Sequence, residues 1–208
     1  MAVTERRPLS RRRVLEAAVR FADREGLGLL TMRRLGAELG VEAMSLYNHV
    51  PNKGALLDGM VEVLLEEVEI PPRSKDWEER IRDGYRAFRR LAHEHPNVFP
   101  LLVERPPETM DGVWLVEEFL QTLREAGFGA EEALHAFRSL SSYTFGYAMA
   151  EIRGFTLEPD GSRLGARALS PEEFPNICEL GPYLDRVDHD REFEFGLDLI
   201  LSGLRTRL

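Results

Sequence analysis

The densest run of polar, reactive side chains lies between Leu30 and Lys53, LTMRRLGAELGVEAMSLYNHVPNK. Tyr47, Asn48 and His49 would make a poor core stripe, and Arg33 and Lys53 flank them. Such a set suits binding to a polyanion. Bond-making chemistry lacks its usual signatures: there is no Glu-x-x-His pair at helical spacing, no phosphate-binding glycine loop and no G-x-S-x-G elbow. His93 and His95 flank Glu94, and residues two apart do not share a helical face. His189, between Asp188 and Asp190 at a helix start, reads as a solvated cap. No enzyme activity, cofactor or metal is expected. Cys178 is the single cysteine, so no internal disulfide can form, and a reducing cytoplasm is the natural compartment.

The elements that would hold this segment are two short helices and a tight turn. Thr31 is placed to cap a helix from Met32 to Leu39, which Gly40 ends at a point where the chain wants a positive φ. A very short helix follows from about Glu42 to Asn48. The two must cross closely, and Gly36 supplies the small residue for that crossing. Leu35, Leu39, Val41 and Leu46 are spaced as a shared apolar seam. This is the arithmetic of a helix-turn-helix, whose second helix enters the major groove. Glu42, Ala43, Met44, Ser45, Tyr47 and Asn48 would then face outward. An ordinary helical hairpin inside a core is the competing reading.

Charge is distributed to match. The chain carries −9 overall, yet residues 1–53 hold ten Lys/Arg against six Asp/Glu, while residues 54–208 hold 17 against 30. A basic head on an acidic body offers one end to a polyanion, although a solvated basic face would give the same numbers. The Arg6-Arg7 and Arg11-Arg12-Arg13 clusters either follow a DNA backbone or enter its minor groove, or residues 1–9 are a disordered tail with Arg13 turned to solvent.

Helical periodicity runs through nearly the whole chain, and an all-α fold is expected. A first helix starts after Ser10 and ends at Gly26, and Asn52 caps a longer one to about Glu69. Further helices are predicted near 76–93, 96–103, 108–125, 130–155, 171–180 and 189–206, with a mobile loop over 156–170. The division is a DNA-binding domain over 1–53 and a larger helical domain over 54–208. The last helix is apolar on more than one face (Phe193, Phe195, Leu197, Leu199, Ile200, Leu201, Leu204), so it needs cover on two sides: a partner chain, or the core of a monomer. No apolar run reaches the roughly 18 residues of a membrane span, and no signal peptide precedes the first helix.

LGVEAMSLYNHVPNKGALLD resembles the DNA-binding segment of the TetR family of transcriptional regulators, and RPPETM, REAGF with EEAL, and FEFGLDLILSGL echo the same family in order along the chain. The pattern is nearest to the tetracycline-responsive members. The resemblance implies an N-terminal three-helix DNA-binding domain, a larger effector-binding and dimerisation domain, and a homodimer on a palindromic double-stranded operator. Dimerisation would use a four-helix bundle from segments 130–155 and 189–206. By the same resemblance Thr31, Tyr47, His49 and Lys53 contact phosphates and Arg33 reads guanine. Ala43 and Met44 stand where a polar reader and a proline are common, and can touch only a thymine methyl. Asn48 replaces an aromatic residue and suits adenine, and Ser45 lies on the same face.

The family's tetracycline site is not reproduced. Phe88 matches a pocket phenylalanine, but Leu101 stands near the metal-binding histidine, Ala150 at the metal-linked glutamate, Phe119 for a glutamine, Gly84 for an asparagine and Glu69 for a histidine. Magnesium–tetracycline is therefore not the expected ligand. The remaining set is Phe88, Leu101, Leu102, Val116, Phe119, Leu120, Leu134, Phe137 and Ser141. It would favour a hydrophobic or aromatic effector, or else is plain core. Trp114, Tyr143 and Tyr147 belong to that lining or to the dimer face. The expected function is ligand-released repression; the alternatives are an activator of the same fold and a ligandless helical adaptor.

Overall fold

The computed structural model describes residues 8–73, 76–105, 110–155, 169–184 and 188–208. Among them are helices and turns, with no strand. The helices are α1 (Arg11–Glu25), α2 (Met32–Leu39), α3 (Ala43–Leu46), α4 (Lys53–Glu66), α5 (Trp77–Glu94), α6 (Pro100–Glu104), α7 (Met110–Ala126), α8 (Ala130–Arg153), α9 (Pro175–Leu184) and α10 (His189–Arg205). Leu27–Leu29 forms a 3-10 turn between the first two.

Side-chain caps set three of the early helix starts. Ser10 accepts from Arg13 N, Thr31 from Arg34 N and Asn52 from Ala55 N, each satisfying an otherwise orphaned amide. Proline shifts one element from its expected place. The helix predicted over 171–180 begins at Pro175, because the residue before a proline is disfavoured in helical geometry while proline itself suits the first turn. It then continues past Gly181 and through Pro182 to Leu184. The expected helix over 96–103 is only Pro100–Glu104, after a turn closed by Val98 N and Phe99 N donating to His95 O. Most of the loop predicted over 156–170, and Arg6 and Arg7, lie outside the described residues.

The chain forms two compact units, 1–123 and 124–208. In the first, α1 packs along α4 and against α2, and α2 packs on α3. Val14, Ala18 and Ala22 of α1 and Leu56, Met60 and Leu64 of α4 are wholly buried at the heart of this unit. Arg11 reaches Glu62 at 2.5 Å, and Arg12 reaches Glu66 at 2.8 Å and Glu16 at 2.7 Å. Two of the clustered arginines thus tie α1 to α4.

In the second unit α8 packs on α10. Phe193, Leu197 and Leu201 are buried, Tyr143 stacks on Phe193 at 5.5 Å, and its hydroxyl donates to Phe193 O at 2.8 Å. Phe195 and Leu199, on the other side of α10, are 66% and 61% exposed. The apolar second face is real and bare. His189 is not the cap of this helix: Asp188 accepts from Arg191 N, while His189 is half-buried and stacks on Phe155 at 5.2 Å.

Candidate nucleic-acid interface and effector cleft

The α2–α3 pair has a hard underside and a polar upper side. Leu35 and Leu46 are wholly buried, and a Cβ on Gly36 would stand 2.9 Å from Val41 O and 3.2 Å from Ala43 N. Only glycine allows the turn to lie that close. Gly40, at φ 67° and ψ 34°, turns the chain between the helices in a conformation costly for other residues.

Above this underside, Thr31, Arg33, Met44, Tyr47, Asn48 and Lys53 are exposed, and Ala43, Ser45 and His49 are half-exposed. Met44 is 74% exposed, an unusual state for a large apolar side chain. The side chains of Arg33, Tyr47, Asn48, His49 and Lys53 have no hydrogen-bond or ion-pair partner among the described residues. Their neighbours differ. Arg34 lies over the Phe21 ring at 5.0 Å and reaches Glu25 at 3.5 Å, and Arg24 binds Glu38 at 2.7 Å. The adjacent arginines Arg33 and Arg34 are therefore divided, one uncommitted and one fastened inward. All nine residues that the sequence singles out on this segment are exposed or half-exposed.

The region expected to take an effector is built differently. Phe88, Leu101 and Leu102 are buried, Val116 and Leu120 are half-buried on α7, and Phe119 lies 4.7 Å from Tyr85 and 6.2 Å from Phe88, ring to ring. Leu134, Phe137 and Ser141 are half-buried on α8, in the other compact unit. Trp114 is 59% exposed. A cleft of about 280 Å³, counted out to its open mouth, runs between the end of α4, α5 and α7; of the nine expected lining residues only Phe119 borders it. Its other walls include Arg80, Ile81, Gly84, Leu115, Glu118 and Thr122. Gly84 makes room for the Phe119 ring, whose Cζ lies 2.6 Å from where a Cβ would be.

Arg80 and Glu118 were not legible as site residues, although a signal existed. Arg80 stands on the buried stripe of α5 with Gly84 and Phe88, at i, i+4 and i+8, where a charge is out of pattern. Its Nη2 donates to Glu118 Oε2 at 2.5 Å and its Nε to Pro71 O at 3.2 Å, while Arg73 donates to Glu118 Oε1 at 2.8 Å. Burial alone would raise the Glu118 carboxyl, but the Arg73 and Arg80 guanidiniums hold it below the usual carboxylate range.

A second ionic group joins α1, α4 and the end of α5. His95 Nδ1 lies 2.6 Å from Asp23 Oδ2 and Nε2 lies 2.9 Å from Glu67 Oε2. The bond to Asp23, aided by Glu67 and opposed by burial, lifts the imidazole to about 9. Glu67, Glu94 and His95 also bring ligand-type atoms within 4.8 Å of one another. With both ring nitrogens protonated and donating, however, His95 is set as a cation and not as a metal ligand. No helix among the described residues is long and apolar enough to cross a membrane.

Residues 14–60 match the family described as bacterial regulatory proteins, tetR family, and residues 70–208 match the tetracyclin repressor-like C-terminal domain. The chain is 33% identical to the HTH-type transcriptional repressor DrrR1 of Streptomyces coeruleorubidus, over 93% of this chain and 76% of that one. It is 31% identical to the class D tetracycline repressor protein of Escherichia coli, over 96% and 91%. It also superposes on the TetR family protein ActR of Streptomyces coelicolor in complex with (S)-DNPA at TM-score 0.84, with 32% identity over 97% of this chain and 100% of that one. ActR has also been solved with actinorhodin.

Proposed function

Because the chain belongs to the TetR family of bacterial regulatory proteins, we propose that it is a cytoplasmic, homodimeric transcriptional repressor released from a palindromic operator by a hydrophobic or aromatic small molecule. Residues 1–53 form the reading head and 54–208 the sensing and dimerising body. The observation that carries this reading is the uncommitted polar face of α2 and α3 over a buried apolar seam. An arginine, a phenol, an imidazole and an ammonium left to solvent on this segment are donors of the kind that bind phosphate oxygens and base edges.

In this reading α3 enters the major groove. Thr31, Tyr47, His49 and Lys53 bind phosphate oxygens and fix the register, while Arg33 reads guanine through its planar fork. Ala43 and Met44 pack on thymine methyls, and Ser45 and Asn48 supply the remaining hydrogen bonds to base edges. Two heads must lie one DNA turn apart, about 34–36 Å, or a multiple of it. The bare Phe195 and Leu199 face of α10 supports pairing of two bodies to hold them so. Of the expected effector lining, Phe88, Leu101, Leu102, Val116, Phe119 and Leu120 belong to the first unit and Leu134, Phe137 and Ser141 to the second, and all nine are retained as effector contacts in this reading. Leu101 and Ala150 offer no metal ligand, so the effector is not magnesium–tetracycline. ActR, solved with actinorhodin, supports an aromatic ligand for a relative of this kind. Catalysis forms no part of the reading.

Selection from a random duplex library tests it. A palindromic site is expected, with affinity that falls steeply with salt and drops about 10- to 100-fold on Arg33→Ala. Recovery of no sequence above background would refute the reading.

A further inference from the structure

We infer that His95 is a positioning residue for operator recognition: it fastens the end of α1 to the turn between α5 and α6, and so sets the angle at which the reading head leaves the body. This rests on the reading of the chain as a dimeric operator-binding regulator and names what holds its heads in place. Three helices bring carboxylates to this junction. Asp23 lies in the last turn of α1, Glu67 caps α4, and Glu94 closes α5. Acids are unfavourable at helix C-termini, where the backbone already carries partial negative charge. His95, the C-cap of α5, supplies the cation that lets them meet. Its ring nitrogens face Asp23 Oδ2 at 2.6 Å and Glu67 Oε2 at 2.9 Å. Ionised carboxylates only accept, so both nitrogens donate.

The tie to α1 is double. Asn97 Nδ2 donates to Asp23 O at 2.9 Å, a carbonyl in the last turn of α1. The turn that carries His95 and Asn97 is itself fixed, because Val98 and Phe99 are wholly buried and their amides donate to His95 O. Asp23 Oδ1 is buried and has no hydrogen bond among the described residues, so the carboxylate relies on His95 through its other oxygen. A neutral residue at 95 would leave Asp23 an unpaired, part-buried charge near Glu67, a strain relieved when the end of α1 moves off the turn toward water. Small motions suffice. Two heads read half-sites about 34–36 Å apart, so a tilt of about 10° on an arm of about 17 Å shifts a recognition helix by about 3 Å, close to one base-pair step. None of the residues proposed to touch DNA takes part in the tie. Arg12, Glu16, Arg20 and Glu66 border an open groove of about 320 Å³ beside the ring, which leaves room for a larger cation in its place.

Fluorescence anisotropy on the full-length protein tests the inference with three duplexes: the selected palindrome, the same palindrome lengthened by one base pair at its centre, and an isolated half-site. His95→Gln should bind the selected palindrome about tenfold more weakly, discriminate less between the two spacings, and bind the half-site as the native protein does. His95→Arg keeps the charge and offers donors on two sides, and should restore native affinity and discrimination. Native binding by a folded His95→Gln variant, a half-site loss equal to the palindrome loss, unchanged discrimination between spacings, or no rescue by a folded His95→Arg variant would overturn the inference. Should His95→Gln fail to fold, Asn97→Ala replaces it, with a loss of about threefold confined to the palindrome. No loss there, or an equal loss on the half-site, would count against the inference in the same way. Those results would leave the regulator reading standing; a native protein that selects no palindrome would strike that reading instead.

Discussion

The α2–α3 head and the α5–α7 cleft both consist of polar groups above an apolar base, yet they treat those groups in opposite ways. The head leaves Arg33, Tyr47, His49 and Lys53 outside and uncommitted, over a turn so tight that Gly36 cannot carry a side chain. The cleft takes Arg80 inside and commits most of it, to Glu118 and to Pro71 O. A surface that reads a large, charged, water-exposed partner needs its donors solvated until contact. A buried guanidinium is largely shut off from water, so its charge must be met by the protein itself, as Arg80 is met by Glu118. The lesson is that exposed donors follow local register, whereas buried ion pairs follow partners distant in sequence.

The sharpest way to break the contrast is to damage the base of the head and leave its surface alone. Gly36→Val pushes a side chain into the Val41 carbonyl and should cost about 3 kcal/mol of stability by urea unfolding, with operator binding lost although no contacting residue has changed. If that variant binds DNA normally, the rigid underside is irrelevant to reading. Replacing both Phe195 and Leu199 of α10 by Asp should weaken dimerisation by roughly 2–4 kcal/mol. Sedimentation would then show monomer at micromolar concentration, with each head still folded by circular dichroism.

A smaller effect separates the head's ionic anchoring from its reading face. The His95 imidazole is lifted from 6.5 to about 9 by Asp23 and Glu67, so its stabilisation is fully present below about pH 6.5 and lost as the pH climbs through about 9. Discounted for solvent access, this should appear as about 1–2 kcal/mol less stability at alkaline pH, and His95→Gln should flatten the profile. An unchanged slope in that variant would assign the pH dependence to other groups. Smallest of all, Lys53→Ala should lower affinity about equally for all DNA sequences and reduce the salt slope by about 1. A change in sequence preference would instead make Lys53 a reader of bases.

Much of the head was legible before any coordinates, because its determinants lie within a few residues of one another. The capping hydroxyls of Ser10 and Thr31 and the turn at Gly40 are local rules, and the structure follows them. The cleft was barely legible. Phe119 was in view, but Arg80 and Glu118 are 38 residues apart; Arg80 is out of pattern on the apolar stripe of α5, yet its partner is settled only when α5 and α7 are brought together. The same holds for His95, which reads as a stray histidine beside Glu94 and becomes an ionic knot only when Asp23, 72 residues away, meets it.

Periodicity, caps and glycine positions along the chain were thus enough to determine a helical protein with a DNA-reading motif at its start, since helices and tight turns are decided by neighbours in sequence. Which arginines would be free and which fastened, which aromatic ring would close over Gly84, and where a charge would be buried were decided only by tertiary packing. Pairing energies depend on distance through space, and one-dimensional order does not carry that distance.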